Sequence, residues 1–176
     1  MNSNYWFSIA ELTIKLIFKE DGLNNLSLLP SFSPFEIAEP SKEDNLFELT
    51  IDDKTAPIAK SERVRIKTID TGNGNIIVDQ TNDGRHQFII KDINGNSCCL
   101  LIANKEFSVC QCALNGNYDM RSFGLNNAIM IAYAFASCKY NTLLIHASLV
   151  RQNGYGYAFI AKSGTGKSTQ VSMWLK

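Results

Sequence analysis

Apolar and polar residues alternate along much of the first 118 positions. In residues 12–18 (LTIKLIF), Leu12, Ile14, Leu16 and Phe18 share one side, and in 46–52 (LFELTID) Phe47, Leu49 and Ile51 do the same. In 63–69 (RVRIKTI), Val64 and Ile66 stand opposite Arg63, Arg65 and Lys67. A period of two with many β-branched residues predicts half-buried strands. Turn formers recur between the runs: Gly72-Asn73-Gly74, Asp83-Gly84, Asn94-Gly95, Asn104-Lys105 and Asn115-Gly116. These pairs tolerate the positive φ of tight hairpins, so 62–114 predicts a meander of about five antiparallel strands. Residues 19–45, with Pro30, Pro34 and Pro40, predict loop with one short strand at most.

The pattern changes after Arg121. Residues 125–140 (LNNAIMIAYAFASCKY) are apolar almost all round, with no turn former after Asn127, which predicts a buried helix with an Asn near its start as a cap. Two short strands are expected next, in 143–150 (LLIHASLV) and 155–161 (YGYAFIA), joined by a turn at Gln152-Asn153-Gly154. The expected fold class is therefore α+β: an antiparallel β-rich N-terminal domain over 1–120, then the beginning of an α/β domain over 121–176.

Composition narrows the function. Of 176 residues, 45% are hydrophobic, and 17 Lys and Arg balance 17 Asp and Glu. That composition is globular, and zero formal charge argues against a nucleic-acid binder working through bulk electrostatics. The N-terminus lacks a basic leader before an apolar core, because Glu11 and Lys15 interrupt it, and the longest apolar run (128–136) is far short of a span. The expectation is a cytoplasmic protein with no membrane and no nucleic-acid partner. Cys98, Cys99, Cys110, Cys112 and Cys138 are odd in number and mostly sit in apolar strand-like stretches, which reads as buried reduced thiol rather than zinc.

One segment carries chemistry. Residues 161–168 read Ala-Lys-Ser-Gly-Thr-Gly-Lys-Ser, the phosphate-binding loop pattern with Ala161 in place of its first Gly, and Thr169 follows. Glycines there let backbone N–H groups turn inward as an anion nest, and a helix opening near Gly166 adds its positive end. Ser163, Gly164, Thr165, Gly166, Lys167, Ser168 and Thr169 are thus the candidate nucleotide-binding residues. Lys167 would reach the β- and γ-phosphates and Ser168 would hold Mg²⁺. The context is the required one: a predicted strand before the loop and a helix pattern after it.

From the apolar helix onward, residues 125–176 resemble the kinase fold shared by HPr kinase/phosphorylase and ATP-dependent phosphoenolpyruvate carboxykinase, through IHAS (145–148) followed by SGTGKST (163–169). In that family a His-bearing strand precedes the loop by about twenty residues; here His146 and Lys167 are 21 apart. The resemblance implies a P-loop, ATP-binding, magnesium-dependent phosphotransferase with an unknown acceptor. It places His146 near the metal or the transferred phosphate, as a catalytic and metal-site candidate. Without the resemblance, a lone His on an apolar strand reads as a core residue.

Phosphoryl transfer also needs carboxylates for the metal and an orienting base. In the resembled family these follow the loop helix, and the sequence in hand runs only about 15 Å of helix beyond the loop. Upstream acids Asp70, Asp79, Asp92 and Asp119 have no motif around them. The expectation is the N-terminal part of a longer kinase-like protein. A helix 125–140 that two strands cannot cover would expose apolar surface and drive self-association. Two further readings stay open: a non-catalytic β-rich binding or scaffold module with a vestigial loop, using Arg63, Arg65 and Lys67 as its surface, and a generic P-loop hydrolase.

Overall fold

The computed structural model describes residues 2–19, 22–41, 44–162 and 164–174. It is a mixed α/β protein with one large sheet and few helices. Its contacts divide it into two compact units, residues 1–142 and 143–176. The expected boundary at 120/121 therefore moves to 142/143, because the long helix packs on the large sheet.

In the first unit, β1 (Asn2–Ile9), β2 (Leu12–Lys19), β3 (Glu36–Ile37), β4 (Asn45–Ile51), β5 (Arg63–Asp70), β6 (Gly74–Thr81), β7 (His86–Asp92), β8 (Ser97–Ala103) and β9 (Val109–Leu114) form a nine-stranded sheet. Its order is β3-β1-β2-β4-β9-β8-β7-β6-β5. The five strands β5 to β9 make the antiparallel meander expected from the turn formers. The sheet is mixed, however, because β4 runs parallel to both β2 and β9. Parallel neighbours need a long crossover. Residues 22–41 supply part of it as two 3-10 turns, Leu26–Leu28 and Pro30–Phe35, followed by β3.

The register puts Ile14, Leu16, Phe18, Phe47, Leu49, Ile51, Cys110, Cys112, Leu101 and Phe88 on one side of the sheet, all buried. Over the middle of this side lies α1 (Tyr118–Ser137), burying Leu125, Ala128, Ile129, Ala132, Tyr133 and Ala136. The helix sits close because Gly124 has no side chain: a Cβ there would lie 2.8 Å from the Cys98 carbonyl oxygen. So the helix begins seven residues before the expected start. Its cap is Asn117, whose side chain accepts from the Met120 N–H at 3.0 Å. Asn126 and Asn127 lie inside the helix and donate to the Ser122 and Phe123 carbonyls, both at 2.8 Å. The large sheet covers the apolar stripe that two strands alone would have left bare.

A polar clamp anchors the start of this helix. Buried Arg121 reaches Asp53 at 2.8 Å, Asn24 at 2.7 Å and the Gly116 carbonyl at 3.1 Å. Burial alone would raise the Asp53 pKa, but hydrogen bonds from Arg121, Asn24 and the Leu114 N–H hold the carboxyl below its ordinary value. On the opposite side of the sheet, residues 53–62 cross toward β5. The Ile58 N–H donates to Gln87 Oε1 at 2.8 Å, and Gln87 donates to Asp79 at 3.2 Å. Arg63 and Arg65 both pair with buried Asp79.

The second unit is an antiparallel hairpin of β10 (Ala147–Gln152) and β11 (Tyr155–Ile160), then α2 (Lys167–Trp174). Asn153 (φ +52°) and Gly154 (φ +84°) make the predicted turn. Val150 is buried, and Trp174 packs tilted against Tyr157 and edge-on against Phe159, with ring centres 5.0 and 5.7 Å away. Among the described residues no helix is long and apolar enough to cross a membrane.

Candidate functional site

The loop between β11 and α2 contains Gly164 (φ +79°) and Gly166 (φ +86°), both in the left-handed region where a Cβ is strained. A tight turn lies between them: Thr165 donates from its hydroxyl to the Lys162 carbonyl at 2.7 Å. Helix α2 starts at Lys167, and its first i→i−4 bond runs from the Gln170 N–H to the Gly166 carbonyl at 2.9 Å. The N–H groups of the first turn have no intrahelical acceptor, which gives the loop a concave, donor-rich wall.

Lys167 folds back over this wall. Its ammonium donates to the Ala161 carbonyl at 2.9 Å and to the Lys162 carbonyl at 3.0 Å. These bonds pin the charge at the mouth of the loop and satisfy two carbonyls where the strand ends.

A cleft of about 580 Å³ opens beside the loop, lined by His146, Ala147, Ser148, Gly164 and the run Gly166–Thr169. The hairpin register explains why His146 is there. Ala147 pairs with Ile160, so His146 stands level with the first residue of the loop. Of the residues singled out from sequence, His146, Gly164, Gly166, Lys167, Ser168 and Thr169 line one cleft. Thr165 lines a second cavity on the other flank of the loop, together with Gly166 and Lys167. Ser163 lies outside the described residues.

Ser148, half-buried in the same cleft, was not anticipated. The strand expected over 143–150 begins only at Ala147, so His146 lies just before β10 while Ser148 lies on it, and the hairpin register brings Ser148 to the cleft. The four upstream acids belong to the first unit and serve its architecture. Asp79 pairs with both Arg63 and Arg65, Asp70 accepts from the Gly72 N–H at 2.8 Å, Asp92 accepts from Asn96, and Asp119 sits in the first turn of α1.

The donor set suits an anion. Residues 143–176 carry Arg151, Lys162, Lys167 and Lys176 and none of the chain's 17 acids. Among the described residues, no group of three or more His, Cys, Asp or Glu could hold a metal ion. Compared with protein-family profiles, with curated proteins and with solved structures, the chain matches none of them.

Proposed function

We propose that residues 143–176 form the phosphate-binding part of a kinase-like, P-loop nucleotide-binding protein, with ATP and Mg²⁺ as its cofactors. The observation that carries this reading is the convergence of His146, Lys167, Ser168 and Thr169 on one cleft beside a loop with two left-handed glycines. In this reading the backbone N–H groups of Gly166 to Ser168 take the phosphate oxygens, and Lys167 exchanges its two carbonyl partners for the β- and γ-phosphates. The Ser168 hydroxyl supplies one ligand to Mg²⁺, which neutralises phosphate charge when bound. His146 is positioned to orient or take a proton from an acceptor hydroxyl at the open side of the cleft.

Phosphoryl transfer to an unidentified acceptor, in the manner of HPr kinase and carboxykinase, is the activity this arrangement favours. The alternative of a non-catalytic scaffold loses its candidate surface in part, because Arg63 and Arg65 are already committed to Asp79. The test is thermal stability of the whole chain with and without Mg-ATP. A rise in Tm that Lys167→Ala abolishes supports the nucleotide reading, and no rise in the unaltered chain rejects it.

A further inference from the structure

The nine-stranded sheet ends differently on its two sides. One edge carries only the two-residue β3, while the other is β5, eight residues long and exposed over nearly its whole length. Val64, Ile66 and Ile69 stand 65%, 57% and 41% exposed there. A long edge strand with three aliphatics is a template for another strand unless something blocks it.

The backbone of β5 shows which register would fit. The Thr81 N–H bonds to the Arg85 carbonyl, so Thr81 points toward β7, and its partner Arg63 turns its own N–H and C=O outward. Arg65, paired with Asp79, does the same. At the other end the Thr71 N–H bonds to the Gly74 carbonyl, so Ile69 and Lys67 point inward, and Thr68 and Asp70 point outward. A bulge between Arg65 and Lys67 changes the phase at mid-strand. Four residues thus offer free ladder groups: Arg63, Arg65, Thr68 and Asp70.

We infer that β5 is a homodimer edge, pairing antiparallel with β5 of a second copy about a two-fold axis between Ile66 and Lys67. In that register Arg63 meets Asp70 of the second copy, and Arg65 meets its Thr68. Both are outward-pointing on each side, so each exchanges two backbone hydrogen bonds. Val64 meets Ile69 on the side where both are exposed. The bulge is what keeps matched residues on the same side of the continuous sheet, since an unbulged strand in this register would set them on opposite sides.

Charge agrees with the backbone. Two guanidiniums share the single carboxylate of Asp79, which leaves one positive charge at that end of the strand. Asp70 of the second copy brings the balancing negative charge, directly opposite Arg63 and diagonal to half-exposed Arg65. A parallel pairing would instead set Arg63 beside Arg63.

Thr68 tests this cleanly, because it is exposed and the ladder phase set by the Thr71–Gly74 bond turns its N–H away from β6. Sedimentation equilibrium of the full chain should give a species of twice the 19.6 kDa chain mass. Thr68→Glu, facing Arg65 of the second copy, should tighten the dimer, and Thr68→Arg should loosen it, the two differing by roughly tenfold or more in dissociation constant. Thr68→Pro should give monomer, with far-UV circular dichroism confirming that each variant stays folded; if the Pro variant unfolds, the Glu and Arg pair decides. A monomeric unaltered chain overturns the inference. So does an assembly of any size whose strength is indifferent to the charge at position 68, as association through another apolar surface would be.

Discussion

The ammonium group of Lys167 donates to the backbone carbonyl of Ala161 at 2.9 Å, closing the loop that joins β11 to α2. The bond is solvent-exposed, so it and its companion to Lys162 contribute little to stability, and in the proposed function they give way to phosphate. Lys167→Ala should therefore leave the Tm of the ligand-free chain within about a degree. With saturating Mg-ATP the unaltered chain should gain the equivalent of about 2–3 kcal/mol at a hundredfold excess over Kd, and the variant almost none. Differential scanning calorimetry measures both; a large loss in the ligand-free variant would make Lys167 a structural residue instead. Because the donor set lacks a carboxylate cluster, Mg²⁺ alone should produce no shift in either protein.

Asp79 should matter more to stability than any other acid of the first unit. It is 1% exposed and faces Arg63, whose side chain is 13% exposed. Asp79→Ala strands a buried guanidinium and frees the Gln87 amide that holds the 53–62 crossover, a loss of about 3–5 kcal/mol. Urea unfolding followed by circular dichroism reads the cost. Adding Arg63→Met to the Asp79→Ala variant should recover part of it, since the unpaired charge goes with it, and a further loss would contradict that account.

His86 sets a pH dependence of definite sign. Its ring lies 5.1 Å from Phe107 and 6.3 Å from Phe88, and Phe107 stacks on Phe135 of α1 at 4.5 Å. Nδ1 is buried without a partner, and burial pushes the imidazole pKa below its ordinary value. The unfolded chain therefore takes up the proton first as pH falls below about 6.5, and the folded state loses stability from there down to the depressed folded pKa. Above that window His86 contributes no slope. His86→Phe keeps the stack and should flatten this part of the curve; an unchanged slope between pH 7 and 5 would place the titration elsewhere.

Thiol reactivity should separate the five cysteines. Cys138, just past α1, is exposed, whereas Cys98, Cys99, Cys110 and Cys112 are buried, and burial pushes the Cys110 thiol up to about 12. Ellman's reagent should titrate one thiol quickly in the native chain and the other four only in denaturant. Two or more fast thiols would mean that the sheet side under α1 opens readily.

Legibility in the sequence followed how local the cause was. The strands β5–β8 and the hairpin β10–β11 could be read because Asn-Gly, Asp-Gly and Gly pairs fix tight turns within four residues, whereas β8 and β9 join through residues 104–108 with Phe107 in the left-handed region. The parallel placement of β4 could not, since it depends on which strands the 3-10 crossover spans. The alternation RVRIKTI suggested a half-buried strand, but its bulge puts Lys67 on the side of Val64, and its place at the sheet edge exposes both. The loop residues could be listed from their spacing, whereas Ser148 entered the cleft only through hairpin register.

Gly124 shows the same limit within the helix, and it yields the sharpest stability prediction. Read along the chain, a glycine argues against helix, and the expected helix 125–140 leaves Gly124 out. In the fold it is the point where α1 touches β8, and a methyl group would sit 2.8 Å from the Cys98 carbonyl oxygen and 2.9 Å from the Cys99 Cβ. Two effects then compete in Gly124→Ala. Helix propensity favours Ala by about 1 kcal/mol, while forcing the helix off the sheet costs about 1–3 kcal/mol, and backbone on the far side cannot yield. The clash should win, lowering the urea midpoint, and it should also make Cys99 and Cys112 more reactive as the helix lifts. A midpoint equal to or above that of the unaltered chain would show that α1 can shift along the sheet without losing its packing.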